Sequence, residues 1–450
     1  MSGPCQTAFQ AHYDNMDKEN IDPASTDDTQ PDDLQPADIQ PADIQKELQD
    51  LVQKKFGGMV QVVSMESLPT PDKDIESTTP PPKKYNFEFN YTPKQIVEEL
   101  DQTIIGQLEA KKALALAVCD HYRHIHAEQE GDLMGHYQKQ NVLLLGPTGV
   151  GKTFLVRSIA KMIGVPFVKA DATRFSEVGY MGANVDDIIR DLVQQAKGDL
   201  RLAENGIVYV DEVDKIAASP GRMGRDVSGR GVQFGFLRLL EDADVDINSS
   251  HDIASQFRTF MNLQKKGGLT KEVVRTKNIL FIFSGAFPEL VPIIKKRLSE
   301  SQIGINTKVR GAASEDSSSY LPQVQSEDLV QFGFEQEFIG RLPVVTSCTS
   351  LSEDELFQIL KESQASIIHQ YIRSFRHYGI TLKFSDEALR LIAAQAQKQN
   401  TGARALVKVC ESLLRDFKYE LSESNFQSTL EVTPEMVANP KGFLQYILGN

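Results

Sequence analysis

From about residue 91 to 345, short apolar runs alternate with stretches of helical spacing. The runs at 141–145, 167–170, 207–210 and 278–283 are apolar without alternation, which is how strands read when both faces of their sheet are covered. Between them lie amphipathic segments, so the pattern predicts an α/β domain with a parallel sheet between helical layers. Thr92 followed by Pro93 opens a helix that carries Ile96, Val97 and Leu100 on one side. Past Pro343 the pattern changes: helices are predicted over 352–378, 385–398 and 403–421, with extended pieces at 380–384 and 428–432. That mixture predicts a smaller, mainly helical α+β lid domain over 346–450, following a large domain over 86–345.

Composition separates a third region. The first 80 residues hold 16 Asp and Glu against 5 Lys and Arg, leaving 46 acids against 43 bases in the rest of the chain. Rich in Asp, Gln, Pro, Ser and Thr, and repeating Pro-Ala-Asp-Ile-Gln at 36–40 and 41–45, residues 1–85 read as an acidic, mostly disordered arm. Ile44, Leu48, Leu51 and Val52 share a helical face, and 59–63 could form a strand, so this arm holds either a small docking element or only a transient helix. The near-neutral remainder argues against a general nucleic-acid binder. Cys5, Cys119, Cys348 and Cys410 are widely separated and form no C-x-x-C pair, so neither a zinc site nor a disulfide framework is indicated. No apolar run approaches 18 residues and the N-terminus has no signal or transit pattern, so the expectation is no membrane contact and a cytoplasmic location.

The chemistry begins directly behind the run at 141–145. Gly146, Pro147, Thr148, Gly149, Val150, Gly151, Lys152 and Thr153 match G-x-x-x-x-G-K-[ST] in full, with a predicted strand before and a predicted helix after. Glycines let backbone N–H groups turn toward phosphate oxygens, Lys152 reaches the β and γ phosphates, Thr153 can ligate magnesium, and the helix N-terminus adds its dipole. ATP and Mg²⁺ are the expected cofactors. About sixty residues on, the run at 207–210 ends in Asp211 and Glu212. In P-loop chemistry such a pair divides the work: Asp211 holds the magnesium shell, and Glu212 polarises the attacking water as general base.

Several further motifs stand in a characteristic order: Ile104-Ile105-Gly106-Gln107, Gly179-Tyr180-Met181-Gly182, RDVSG from Arg225, ILFIFSGAF at 279–287, Glu337-Phe338-Ile339-Gly340-Arg341-Leu342-Pro343, and Thr401-Gly402-Ala403-Arg404. With these the chain, from about Tyr91 onward, resembles the AAA+ unfoldases of the Clp/Hsl type, the ClpX branch above all. The resemblance implies a P-loop AAA+ large domain and a lid domain assembled as a homo-hexamer that acts on unfolded or tagged proteins. It implies adenine contacts from Ile104 and Ile105, and a sensor role for Ser284 beside the nucleotide. Arg341 looks like an arginine finger reaching the neighbouring subunit's γ-phosphate, and Arg404 like a sensor arginine within its own subunit. Gly179, Tyr180, Met181 and Gly182 look like the pore loop that grips a polypeptide; two glycines displaying an aromatic ring and a thioether suit a non-directional grip.

Phe175 to Val178 and Ile188 to Leu192 are closer to HslU, but the large intermediate domain of HslU has no room here, since only 193–205 separate that helix from the Asp211 strand. Departures from the ClpX pattern are equally specific. The zinc-binding module has no counterpart, the second pore loop in 244–276 lacks its Arg-Lys-His pattern, and Arg230 replaces an acidic residue. The stretch expected to dock a ClpP-like peptidase reads Ile303-Gly304-Ile305, without the aromatic ring. Two readings therefore stand: an unfoldase and translocase that delivers polypeptide to a separate peptidase, and a stand-alone ATP-dependent remodelling chaperone.

Overall fold

Strands β1 (Val142–Leu145), β2 (Phe167–Asp171), β3 (Ile207–Asp211), β4 (Asp244–Asp246), β5 (Val273–Arg275), β6 (Leu280–Gly285) and β7 (Val344–Ser347) follow one another along the large domain. Five of them form a wholly parallel sheet in the order β2-β3-β6-β1-β7, while β4 and β5 pair antiparallel. The computed structural model describes residues 89–131, 137–175, 183–218, 227–247, 272–301, 317–423 and 429–449. The acidic arm with its two islands, the pore-loop residues 179–182, the docking stretch 303–305 and most of 244–276 lie outside the described residues.

Because side chains alternate along a strand, each strand feeds two cores. Val142, Leu144, Ile207, Tyr209, Leu280 and Ile282 enter one; Leu143, Leu145, Val208, Val210, Phe281 and Phe283 enter the other, all fully buried. At about 1.5–3 kcal/mol for each large apolar side chain removed from water, these runs provide the main reason the sheet forms.

The first core is covered by helices Pro93–Asp101, Leu108–Gln129 and Lys152–Ile163 and continues without a break into the C-terminal domain. Helix Pro93–Asp101 opens as its sequence predicts, with Thr92 and Gln95 forming a reciprocal capping box. The second core is closed by helices Asp187–Gln195, Val227–Leu240, Leu290–Ser301, Ser326–Phe332 and Gln336–Gly340. A run of rings passes through it: Phe236 and Phe338 both meet Phe283 edge-on at 5.3 and 5.2 Å, and Phe334 stacks on Phe338 and Phe332.

The C-terminal domain packs helices Glu353–Lys361, Ile367–Arg376, Asp386–Gln397 and Ala403–Glu423 beside a parallel pair, β8 (Thr381–Phe384) and β9 (Thr429–Val432). The single helix expected over 352–378 is two helices. Serines break it: Ser366 Oγ donates to Leu360 O at 2.6 Å and accepts from Ile368 N–H, while Ser363 Oγ donates to Thr103 O at 2.6 Å. Their hydroxyls replace the helical ladder with local bonds and tie the break to the large domain.

Candidate functional site

The C-terminal ends of β1, β3 and β6 converge on the glycine-rich loop. Gly151 caps helix Lys152–Ile163 at φ 99°, a left-handed conformation that glycine adopts without a side-chain penalty. Lys152 is buried and its ammonium donates to Gly146 O at 2.5 Å and Pro147 O at 2.9 Å. Burial, partly offset by attraction to Asp211 and Asp214, lowers its pKa. Cys348, which follows β7 behind the loop, is itself a buried thiol pushed up to about 12 by burial.

Strand β3 delivers Asp211 beside Thr153. Thr153 Oγ1 lies 3.4 Å from Asp211 Oδ2 and 3.2 Å from Tyr209 Oη. From the adjacent strand β6, Ser284 Oγ donates to Asp211 Oδ1 at 2.7 Å and meets Tyr209 Oη at 2.6 Å. Lys169 of β2 closes the group with its ammonium 2.8 Å from Asp211 Oδ2. Burial alone would raise the Asp211 pKa, but the hydrogen bonds and charge of Lys169 and the bond from Ser284 outweigh it and hold the carboxyl below its ordinary value. An ionised carboxylate and a hydroxyl offering oxygens side by side fit a hard divalent cation such as Mg²⁺, whose remaining positions phosphate and water oxygens would fill.

Glu212 follows in a left-handed conformation, φ 58° and ψ 31°, with its N–H donating to Asp211 Oδ1 at 3.1 Å and its side chain exposed. A non-glycine residue there carries roughly 1–3 kcal/mol of strain, which the flanking strand and the buried Val213 hold in place.

Two segments fold over this site from the first core. The turn before helix Ala403–Glu423 touches the loop through its backbone: Ala403 N–H donates to Gly149 O at 2.9 Å. A Cβ on Gly149 would stand 2.1 Å from Thr401 O, so only glycine permits the contact. Arg404, the next residue, is exposed, and its charge is felt at Lys152. On the other side, Gln107 bridges both backbone groups of Thr349, at 2.8 and 2.9 Å. Ile104 is buried in the shared core, with its carbonyl accepting from buried Lys111, so Ile105 is the more accessible of the two isoleucines.

Arg341 lies elsewhere. It caps helix Gln336–Gly340, its carbonyl accepts from Asn141 Nδ2 at 3.1 Å, and its guanidinium pairs with Glu241 at 2.5 Å. Asn141 precedes β1 whereas the phosphate loop follows it, so Arg341 stands at the opposite strand end from its own chain's loop. Arg230, the replaced acidic position, bonds Glu335 at 2.8 Å. The structure thus brings together Lys152, Thr153, Asp211, Glu212 and Ser284, with Arg404 at the rim and Arg341 apart. Lys169 and Tyr209 are the members that motif reading missed; the one signal was a lysine interrupting the apolar run 167–170.

A parallel sheet in this order, with the phosphate loop after its fourth strand in space and a paired acidic residue on the strand two places away, defines a AAA+ ATPase. Residues 137–345 match the family model described as AAA domain (Cdc48 subfamily), and 351–435 match the one described as the C-terminal, D2-small domain, of ClpB protein. The ATP-dependent Clp protease ATP-binding subunit ClpX of Borrelia duttonii (strain Ly) is 39% identical over 356 residues, covering 77% of this chain and 79% of that one, and its counterpart in Borrelia recurrentis (strain A1) gives the same values. The ClpX of Treponema denticola is 36% identical over 351 residues, covering 77% and 81%. The chain belongs to the ClpX family. It is an ATP-binding ATPase and an ATP-dependent unfoldase of the Clp type.

Proposed function

We propose that this chain works as a cytoplasmic homo-hexameric ring that threads polypeptide past Tyr180 and hydrolyses ATP between subunits. In this reading Lys152 and the loop amides hold the phosphates, Thr153 and Asp211 hold Mg²⁺, and Glu212 orients the attacking water. The metal supplies charge neutralisation at the transferring phosphoryl group. Ile105, with Ile104 behind it, faces adenine, Ser284 fixes the Asp211 carboxylate, and Arg404 couples nucleotide to the C-terminal domain. Unfolded or tagged proteins are the substrates; neither nucleic acid nor membrane is a partner. Among the described residues no helix is long and apolar enough to cross a membrane.

The position of Arg341 is the observation that supports the ring. A guanidinium at the opposite strand end from its own phosphate loop serves phosphoryl transfer only if it is delivered to another subunit, which makes hydrolysis depend on assembly. Mixing two inactive variants tests this. Lys152→Ala and Arg341→Ala should each lose ATPase activity, and their mixture should regain part of it through interfaces that pair an intact loop with an intact arginine; no recovery means Arg341 acts in its own chain. Unfolding of a tagged fluorescent substrate should then fail in Glu212→Gln and in Tyr180→Ala.

The relatives' names place them in a Clp protease, and delivery to a ClpP-like peptidase through Ile303, Gly304 and Ile305 extends that role to this chain. The isoleucine in the third position favours a second reading, a remodelling chaperone without a peptidase. Co-sedimentation with a ClpP-like peptidase separates them: a complex lost on Ile303→Ala supports delivery, and no complex supports the chaperone.

A further inference from the structure

Lys169 is the third residue of β2, at the edge of the sheet, and belongs to none of the motifs. Its ammonium stands 2.8 Å from Asp211 Oδ2 and 3.5 Å from Thr153 Oγ1, the same two oxygens assigned above to magnesium. The other Asp211 oxygen is already engaged by Ser284 Oγ at 2.7 Å and Glu212 N–H at 3.1 Å. Oδ2 is therefore the carboxylate's outward oxygen, and Lys169 holds it. A divalent ion bound to that oxygen would face an ammonium at contact distance, and two cations so close repel strongly at the partial burial of this site. The lysine has another place to go. Its side chain is 36% exposed, and it lines an edge cavity of about 480 Å³ together with Asp191, Gln194, Gln195 and Arg157, whose guanidinium lies over the Phe167 ring. Asp191 offers a second carboxylate in that cavity, and a four-carbon stem is flexible enough to change partners.

We infer that Lys169 is a tethered counter-cation that competes with Mg²⁺ for Asp211 and Thr153 and retires toward Asp191 when the metal binds. This rests on the reading of Thr153 and Asp211 as the metal site. Lys169 then raises the Mg²⁺ concentration the protein needs before nucleotide binds productively, and it keeps Asp211 neutralised when no metal is present.

The test is a Mg²⁺ titration of methylanthraniloyl-ADP binding, read by fluorescence at fixed nucleotide, on the full chain and on Lys169→Met, Lys169→Gln and Lys169→Arg. Removing a competitor worth a partly exposed ion pair should lower the half-saturating Mg²⁺ about 3- to 10-fold in the Met and Gln variants, while Arg stays near wild type. Unchanged or higher Mg²⁺ midpoints in Met and Gln, with thermal unfolding showing both folded, would overturn the inference. Loss of nucleotide binding by both at saturating Mg²⁺ would overturn it as well, because a competitor of the metal is dispensable once the metal is bound. If the wild-type chain shows no Mg²⁺ dependence, the metal-site reading itself fails and the inference goes with it; a clear wild-type dependence with unshifted variants removes only the role of Lys169.

Discussion

The two faces of the central sheet are made by alternate residues of the same strands, yet they are different kinds of core. One face is sealed within the large domain by a run of phenylalanines, from Phe236 through Phe283 to Phe338 and Phe334. The other is not closed there, and its buried residues run on from Leu144 and Ile282 through Leu356 and Leu360 to Leu414 and Phe417 of the C-terminal domain. Offset and edge-to-face ring contacts add about 0.5–1.5 kcal/mol per pair beyond the area they bury, so the closed face gains at each contact along that run. The closed face therefore backs the strands that carry Asp211 and Ser284, and the continuing face joins the glycine-rich loop to the domain that packs beside it.

The largest expected effect lies on the sealed face. Phe283→Ala should cost about 3–5 kcal/mol, measured by urea unfolding, because three packed neighbours lose their partner at once. Leu414→Ala, in the C-terminal part of the shared core, should cost about 2–4 kcal/mol and also weaken nucleotide binding. If it instead melted the C-terminal domain alone and left ADP affinity untouched, the two domains would not share a core in the sense drawn here.

A third test uses acidity. His121 is fully buried on the shared side, with Nε2 2.9 Å from Asn278 O, and burial pushes its pKa down to about 3. A ring that stays neutral in the fold and titrates near its ordinary value when unfolded contributes stability that is fully present above pH 6.5 and is lost as pH falls from there toward 3. Between pH 6.5 and 5 the wild type should lose about 2 kcal/mol more than His121→Gln, at about 1.4 kcal/mol per pH unit. Paired urea curves at the two pH values check it. The smallest effect belongs to the junction: Gln107→Ala, which removes both bonds to Thr349, should cost about 1–2 kcal/mol, and chemical denaturation should show it without a change in the Phe283 side of the sheet.

The strands of the sheet were legible because burial on both faces leaves a continuous apolar run, and the phosphate loop because its chemistry demands fixed residue types at fixed spacing. β7 was not: its residues are only partly buried, so Val344–Ser347 has no apolar run to notice. The break at 363–366 escaped because its cause is a pair of serine hydroxyls whose partners include Thr103, some 260 positions away. In the site, Asp211 and Glu212 stood out as a pair, but nothing in their identity announced the left-handed backbone of Glu212. Nor could a motif reveal Lys169 and Tyr209, which reach Asp211 and Thr153 only through strand pairing, Lys169 opposite Tyr209 in the register of β2 and β3. Tyr180 and Ile303 lie outside the described residues, and the roles proposed for them come from sequence position alone.

The bond from Ala403 to Gly149 has a mechanical side. Helix Ala403–Glu423 is 21 residues long, a rod of about 31 Å at 1.5 Å per residue, fastened at its first residue to the loop that holds phosphate. A rod of that length magnifies small changes at its fastened end: a rotation of about ten degrees there would carry the far end roughly 5 Å.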